Sequence, residues 1–145
     1  MQAVKVKDGA FKHVESELYA YPYRKREIER LRLEIQYPYD EEPDDPAVVE
    51  GKNSVRTISD PTAKMGIRLA GHAKLLHMER VADAIEEVYN NLTEHQQEFV
   101  RLKYWTKPQK LTAIGICSEI GISDRTFSRW RRIFVNEIAE KLGWD

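Results

Sequence analysis

Apolar residues recur along this chain at intervals of three and four, the spacing that sets one face of an α-helix against a core. The pattern predicts an all-α fold with an N-terminal helical hairpin, a long middle helix and a C-terminal helix-turn-helix unit. Phe11, Val14 and Leu18 form the first stretch. Tyr21-Pro22-Tyr23 interrupts it, and Ile28, Leu31 and Ile35 resume it in a charge-rich background. Two short helices of a hairpin over residues 1–37 follow from this reading. Each carries a narrow stripe that needs another surface, either the rest of the chain or a second copy. A third pattern opens at Asp60-Pro61, a cap followed by proline at the first helical position, and runs to about Asn90. Val81, Ile85, Val88 and Leu92 mark its clearest face, while Gly66 and Gly71 weaken its first half enough to leave one helix or two open.

From Thr93 onward the helix signals sharpen. Thr93 and Gln96 have capping-box spacing, Phe99, Leu102 and Trp105 point inward, and Lys107-Pro108 closes that helix. Thr112 can cap the next one, which runs to Ile120. With Gly121 as the turn glycine, residues 112–143 read as a helix-turn-helix. Its apolar positions fall on Ile116, Ile120, Ile122, Phe127 and Trp130, and the small residue that lets two helices approach falls on Cys117. Ser123 caps the second helix, Asp124 suits its dipole, and Gly143 ends it with Trp144 placed to fold back. At about 100° per residue, Arg129, Arg132 and Asn136 lie near Arg125, with Ser128 at the edge. Phe127, Trp130, Phe134 and Ile138 lie on the opposite side. One face is therefore core and the other basic, as a helix entering the DNA major groove requires.

Charge is divided along the sequence although the formal net charge is −1. Residues 38–59 read as an acidic, proline-containing linker with Asp40, Glu41, Glu42, Asp44, Asp45 and Glu50. Residues 101–112 carry Arg101, Lys103, Lys107 and Lys110 with no acid, and residues 125–132 carry four arginines with no acid. Such local basic surface matters more for DNA than the overall balance. The single Cys117 is expected to be a buried, inert thiol. No apolar run approaches a membrane span and no signal peptide is legible, so a soluble, cytoplasmic protein is expected. His72 and His77 are spaced five apart without a carboxylate partner, which disfavours a metal site. Without a glycine-rich phosphate loop or a catalytic constellation, neither an enzyme nor a cofactor is expected.

The expected contacts divide in two. Arg125, Ser128 and Arg129 face the base edges of double-stranded DNA, with Thr126 beside them at the helix N-terminus to meet a base or a phosphate. Lys107, Lys110, Thr112, Arg131 and Arg132 lie at the rims and hold phosphates. The blocks outside residues 60–145, the helical DNA-binding domain, are left to supply either a homodimer interface or a contact with RNA polymerase.

Several of these segments resemble the RinA family of phage and prophage transcriptional activators. The resemblance rests on residues 91–97, Leu102-Lys103-Tyr104-Trp105, residues 122–131 and the closing Ile138-Ala139-Glu140-Lys141-Leu142-Gly143. Ser59-Asp60-Pro61-Thr62-Ala63-Lys64 and Tyr21-Pro22 are similar to its middle and N-terminal parts. The C-terminal unit is also similar to region 4 of bacterial sigma factors. The resemblance implies an activator of late genes for packaging and morphogenesis. The competing classes are a small terminase subunit, a sigma-like polymerase subunit and a protein-binding adaptor. The first two lack here an evident ring-forming core and a promoter-melting region, respectively.

Overall fold

Thr93, Thr112 and Ser123 each hold an extended backbone, and each side-chain oxygen accepts an N–H from the helix that follows. A helix start leaves such donors without backbone partners, so these hydroxyls fix where the C-terminal helices begin. At Thr93 the capping box is complete: Gln96 Oε1 in turn accepts from the Thr93 N–H at 3.1 Å. A computed structural model of the chain describes residues 6–36 and 61–144. Among them the fold is all-helical, in the order α1 (Asp8–Gln36), α2 (Pro61–Asn90), α3 (Glu94–Tyr104), α4 (Ala113–Ile120) and α5 (Asp124–Leu142). The acidic segment 38–59 and the Asp60 cap lie outside the described residues.

The expected N-terminal hairpin is a single helix. α1 runs through Tyr21-Pro22-Tyr23 without a turn. Proline at position 22 has no N–H to give the Leu18 carbonyl four residues earlier, the usual cause of a break. Here the indole N–H of Trp105 donates to that carbonyl at 3.1 Å. The Tyr21 ring stacks on Trp105 with centroids 4.9 Å apart, and its hydroxyl donates to Glu86 at 2.5 Å. Tertiary contacts thus replace the bond that proline removes. α2 is also unbroken, crossing Gly66 and Gly71 with neither in a positive-φ conformation. Their helix penalty, about 1 kcal/mol each relative to alanine, is too small to interrupt a segment rich in Ala and Leu.

The described residues form two units. The first joins those through Arg24 to those from Arg80 onward. Val14 and Leu18 of α1, Val81, Ile85 and Val88 of α2, Phe99, Val100 and Tyr104 of α3, Ile116 and Ile120 of α4, and Phe134, Val135 and Ile138 of α5 make one core cluster there. Leu92, Leu102, Trp105, Ile122, Phe127 and Trp130 pack against it while half-buried. The second unit comprises described residues between Lys25 and Glu79. It buries Ile28, Leu31, Leu75 and Met78, and Arg32 bonds Glu79 at 3.0 Å. Ile28 and Leu31 are therefore covered within the chain, and the stripe does not by itself require a second copy.

Candidate nucleic-acid interface

Two helices and a three-residue turn build the site. α4 stops at Gly121, whose φ of 71° and ψ of 43° place it in the left-handed region that glycine occupies without a Cβ penalty. The Ile122 N–H then reaches back to the Cys117 carbonyl at 2.9 Å, satisfying an orphan acceptor of α4. Ser123 starts α5: its oxygen accepts the Thr126 N–H at 3.1 Å and its hydroxyl lies 3.0 Å from Thr126 Oγ1. Cys117 is buried beneath this turn. Burial raises its thiol pKa, with Asp124 adding to the effect, so it stays protonated and unreactive.

Aromatic contacts set α5 on α3. The Phe99 ring meets Phe127 edge-on at 5.1 Å and Trp130 at 5.9 Å. His95 lies edge-on to Trp130 at 5.2 Å, and its Nε2 sits 2.6 Å from the Ile120 carbonyl at the end of α4. A carbonyl only accepts, so Nε2 carries the hydrogen and donates. Phe127 and Trp130 thus face the protein, as their helical phase requires. At the far end, Gly143 takes φ 72°, and the Trp144 N–H bonds the Ala139 carbonyl at 2.9 Å. Arg80 donates to the Leu142 carbonyl at 3.1 Å, and the Trp144 ring folds back against His13 at 4.5 Å.

Between Arg125 and Arg132, the charged side chains that α5 leaves exposed are all basic. Arg125, Ser128, Arg129 and Arg132 are exposed, and Thr126 and Asn136 are half-buried. Lys107, Lys110 and Thr112 are exposed on the connection into α4. The Thr112 oxygen also accepts the Gly115 N–H at 3.2 Å, so capping and an outward contact share one hydroxyl. A cleft of about 320 Å³ has Gln109, Leu111 and Ala113 among its lining residues, together with Phe127 and Arg131. The connection carrying Lys110 and Thr112 therefore flanks the first turns of α5.

Arg131 does not join the outward row. Its Nε and Nη2 donate to the two carboxylate oxygens of Glu15 at 2.8 and 2.6 Å, a bidentate pair from α5 to α1. A phosphate contact by Arg131 would have to be made by a side chain that is 42% exposed and whose Nε and Nη2 are already bonded to Glu15. The Tyr104 hydroxyl also donates to Glu15, at 2.7 Å. Burial alone would raise the Glu15 pKa, but the bonds from Arg131 and Tyr104 and the charges of Arg131 and Lys103 outweigh it and hold the carboxyl below its ordinary value. Burial, then the bond to Glu15, pushes Tyr104 well above the usual phenol range. Lys103 Nζ sits 2.8 Å from the Tyr19 hydroxyl and 4.7 Å from the centre of the Tyr104 ring.

Sequence reasoning gave no structural role to Glu15, Tyr104 or His95, and counted Lys103 only as local basic surface. For Glu15 a signal existed: with Phe11, Val14 and Leu18 it completes an i, i+3, i+4, i+7 stripe, and a carboxylate on a buried face demands a partner. Nothing local marks Arg131 as that partner, because the pairing spans 116 positions.

The fold and this face define a class: an all-helical protein whose last long helix packs its aromatic side inward and holds exposed arginines outward. The comparisons with known proteins narrow the class. The family described as "Protein of unknown function (DUF722)" matches residues 19–140, and the chain belongs to it; this is the RinA-like family. The chain is similar to the transcriptional activator rinA of Staphylococcus phage phi11, at 27% identity over 143 residues, covering 97% of this chain and 95% of that protein. No solved structure matches the chain. Among the described residues, no helix is long and apolar enough to cross a membrane.

Proposed function

We propose that this chain is a sequence-specific DNA-binding transcriptional activator of phage or prophage origin. One observation carries the reading: α5 exposes Arg125, Ser128, Arg129 and Arg132 while its opposite side, through Phe127, Trp130 and Phe134, is fixed to the core. In this reading α4 and α5 are a helix-turn-helix similar to sigma region 4, with α5 in the major groove. Arg125 and Arg129 are suited to the paired acceptors of guanine, and Ser128 and Thr126 read neighbouring positions. Lys107, Lys110, Thr112 and Arg132 hold phosphates at the rims and fix the register. Arg131 instead anchors α5 through Glu15.

The near full-length similarity to a phage activator supports a regulatory role over a structural one. The family resemblance extends the reading to late genes for packaging and morphogenesis, with host RNA polymerase as the partner of the activating surface and the bacterial cytoplasm as the setting. Genome-wide mapping of the DNA bound in the host, beside transcripts with and without the chain, tests this reading. Enriched sites upstream of a late operon whose transcripts depend on the chain are expected. Enrichment at a packaging site without transcript change would replace the activator with a small terminase-like role. An absence of enriched sites would overturn the DNA-binding reading itself.

A further inference from the structure

The cleft of about 320 Å³ beside α5 is lined by Lys103, a cation outside the expected rim set of Lys107, Lys110, Thr112 and Arg132. Lys103 is half-buried and makes no ion pair among the described residues. Its Nζ donates to the Tyr19 hydroxyl at 2.8 Å and stands 4.7 and 5.7 Å from the centres of the Tyr104 and Phe127 rings. The ring faces offset part of the cost of burying the ammonium. An ammonium has three N–H donors, so two remain without an oxygen. Arg131, the other cation of the wall, is matched: Glu15 holds it bidentately, and no Asp or Glu is among the residues lining the cleft. The wall therefore keeps an uncompensated positive charge, which selects an anion.

The place of the cleft narrows the choice. Gln109 fixes the connection into α4 at its edge. Gln109 Nε2 donates to the Leu102 and Lys103 carbonyls at 2.7 and 3.2 Å, and its Oε1 accepts the Leu111 N–H at 3.1 Å. That edge is thus formed before any ligand arrives. The same connection carries the exposed Lys110 and Thr112, and Phe127 on the first turns of α5 also lines the cleft. A helix that reads the major groove is held by phosphate contacts from its flanks, and the cleft lies on such a flank. Leu111 and Ala113 add an apolar wall, against which the sugar attached to a phosphate can lie.

We propose that this cleft is a phosphate site, in which Lys103 holds the phosphate of one nucleotide unit and the apolar wall takes its sugar. Its assignment to duplex DNA rests on the DNA-binding reading, with the unit belonging to the strand at the edge of the groove. A free nucleotide presents the same chemistry.

The test uses the full chain, Lys103→Gln and Lys103→Arg, with circular dichroism and thermal melts to show that both variants keep the fold. On a selected duplex, Lys103→Gln should make the log–log salt slope shallower by about 0.9, and Lys103→Arg, which keeps the charge, should leave it unchanged. Duplexes with one neutral methylphosphonate at successive positions locate the contact. The native chain should lose affinity at a position where Lys103→Gln loses none, and Lys110→Ala should silence a different position. A slope lost equally in Lys103→Arg would mark a packing effect and overturn the proposal. Thymidine 5′-monophosphate distinguishes the sources. Saturable calorimetric binding that Lys103→Gln abolishes, with the duplex slope unchanged in that variant, would assign the cleft to a free nucleotide and support the site. If neither probe separates Lys103→Gln from the native chain while Lys110→Ala still flattens the slope, the proposal is overturned and DNA binding stands. If the native chain binds no duplex, the DNA-binding reading fails by itself; the nucleotide then decides for the cleft, and its failure to bind would overturn this proposal as well.

Discussion

Removing the Glu15 carboxylate would leave the Arg131 guanidinium beside Tyr104 without its counter-charge. Glu15→Gln should cost about 2 kcal/mol, below the range for fully buried pairs because the Arg131 side chain is 42% exposed to water. The pH dependence follows from the direction of the shift. The folded pKa lies below the ordinary 4.5, so the stabilisation is complete above that value and is lost as pH falls through the folded pKa. The stability difference between the native chain and Glu15→Gln, from urea melts, should therefore be constant near neutrality and shrink in acid below about pH 4.5. A difference that does not shrink at all as the pH falls would contradict the assignment of the charge. On the outward side, Arg129→Ala should cost about 1–3 kcal/mol on a preferred duplex and relax one base position, with an unchanged melting temperature. Equal affinity of native chain and variant would remove Arg129 from base reading.

Among the helices, the caps were readable from sequence because each is a local event. Thr93 with Gln96, Thr112, Ser123, Gly121 and Gly143 each act within a few residues of a helix end. The path of α1 was not readable, because the contact that carries it past Pro22 comes from Trp105, 87 positions from Leu18. This gives a double-mutant cycle. Trp105→Phe should cost about 1–3 kcal/mol in the native chain by leaving the Leu18 carbonyl unsatisfied. In a Pro22→Ala background the restored N–H can take that carbonyl, and the same change should cost about 1 kcal/mol less. Additive costs would show that the indole bond does not substitute for the missing helical one. In α5, Phe134 is only 2% exposed, and Phe134→Ala should destabilise the first unit by about 3–5 kcal/mol in thermal or urea melts. Trp130 is half-buried and should cost less when truncated. The inward phase of both was legible from helical periodicity; the depth of each depended on packing by α3, which periodicity does not report.

At the scale of the whole molecule, the all-helical class was legible because the three-and-four spacing persists in every described helix. The basic face was legible for the same reason, but its membership was not: four arginines stand between Arg125 and Arg132, and one of them belongs to Glu15. The consequence of that pairing is measurable in the salt dependence of duplex binding. Each phosphate-bound cation contributes about −0.9 to the log–log slope. Lys110→Ala should make the slope shallower by about 0.9, while Arg131→Ala, read where the variant is folded, should leave it unchanged. A loss of slope in Arg131→Ala would return that residue to the DNA. Specific reading of duplex DNA by α5 is tested most directly by selecting bound duplexes from a randomised library with the full chain and with Arg129→Ala. The expected result is one enriched motif for the native chain, with guanine preference lost at a single position in the variant. Recovery of no motif, or of the same motif undiminished from Arg129→Ala, would contradict the account.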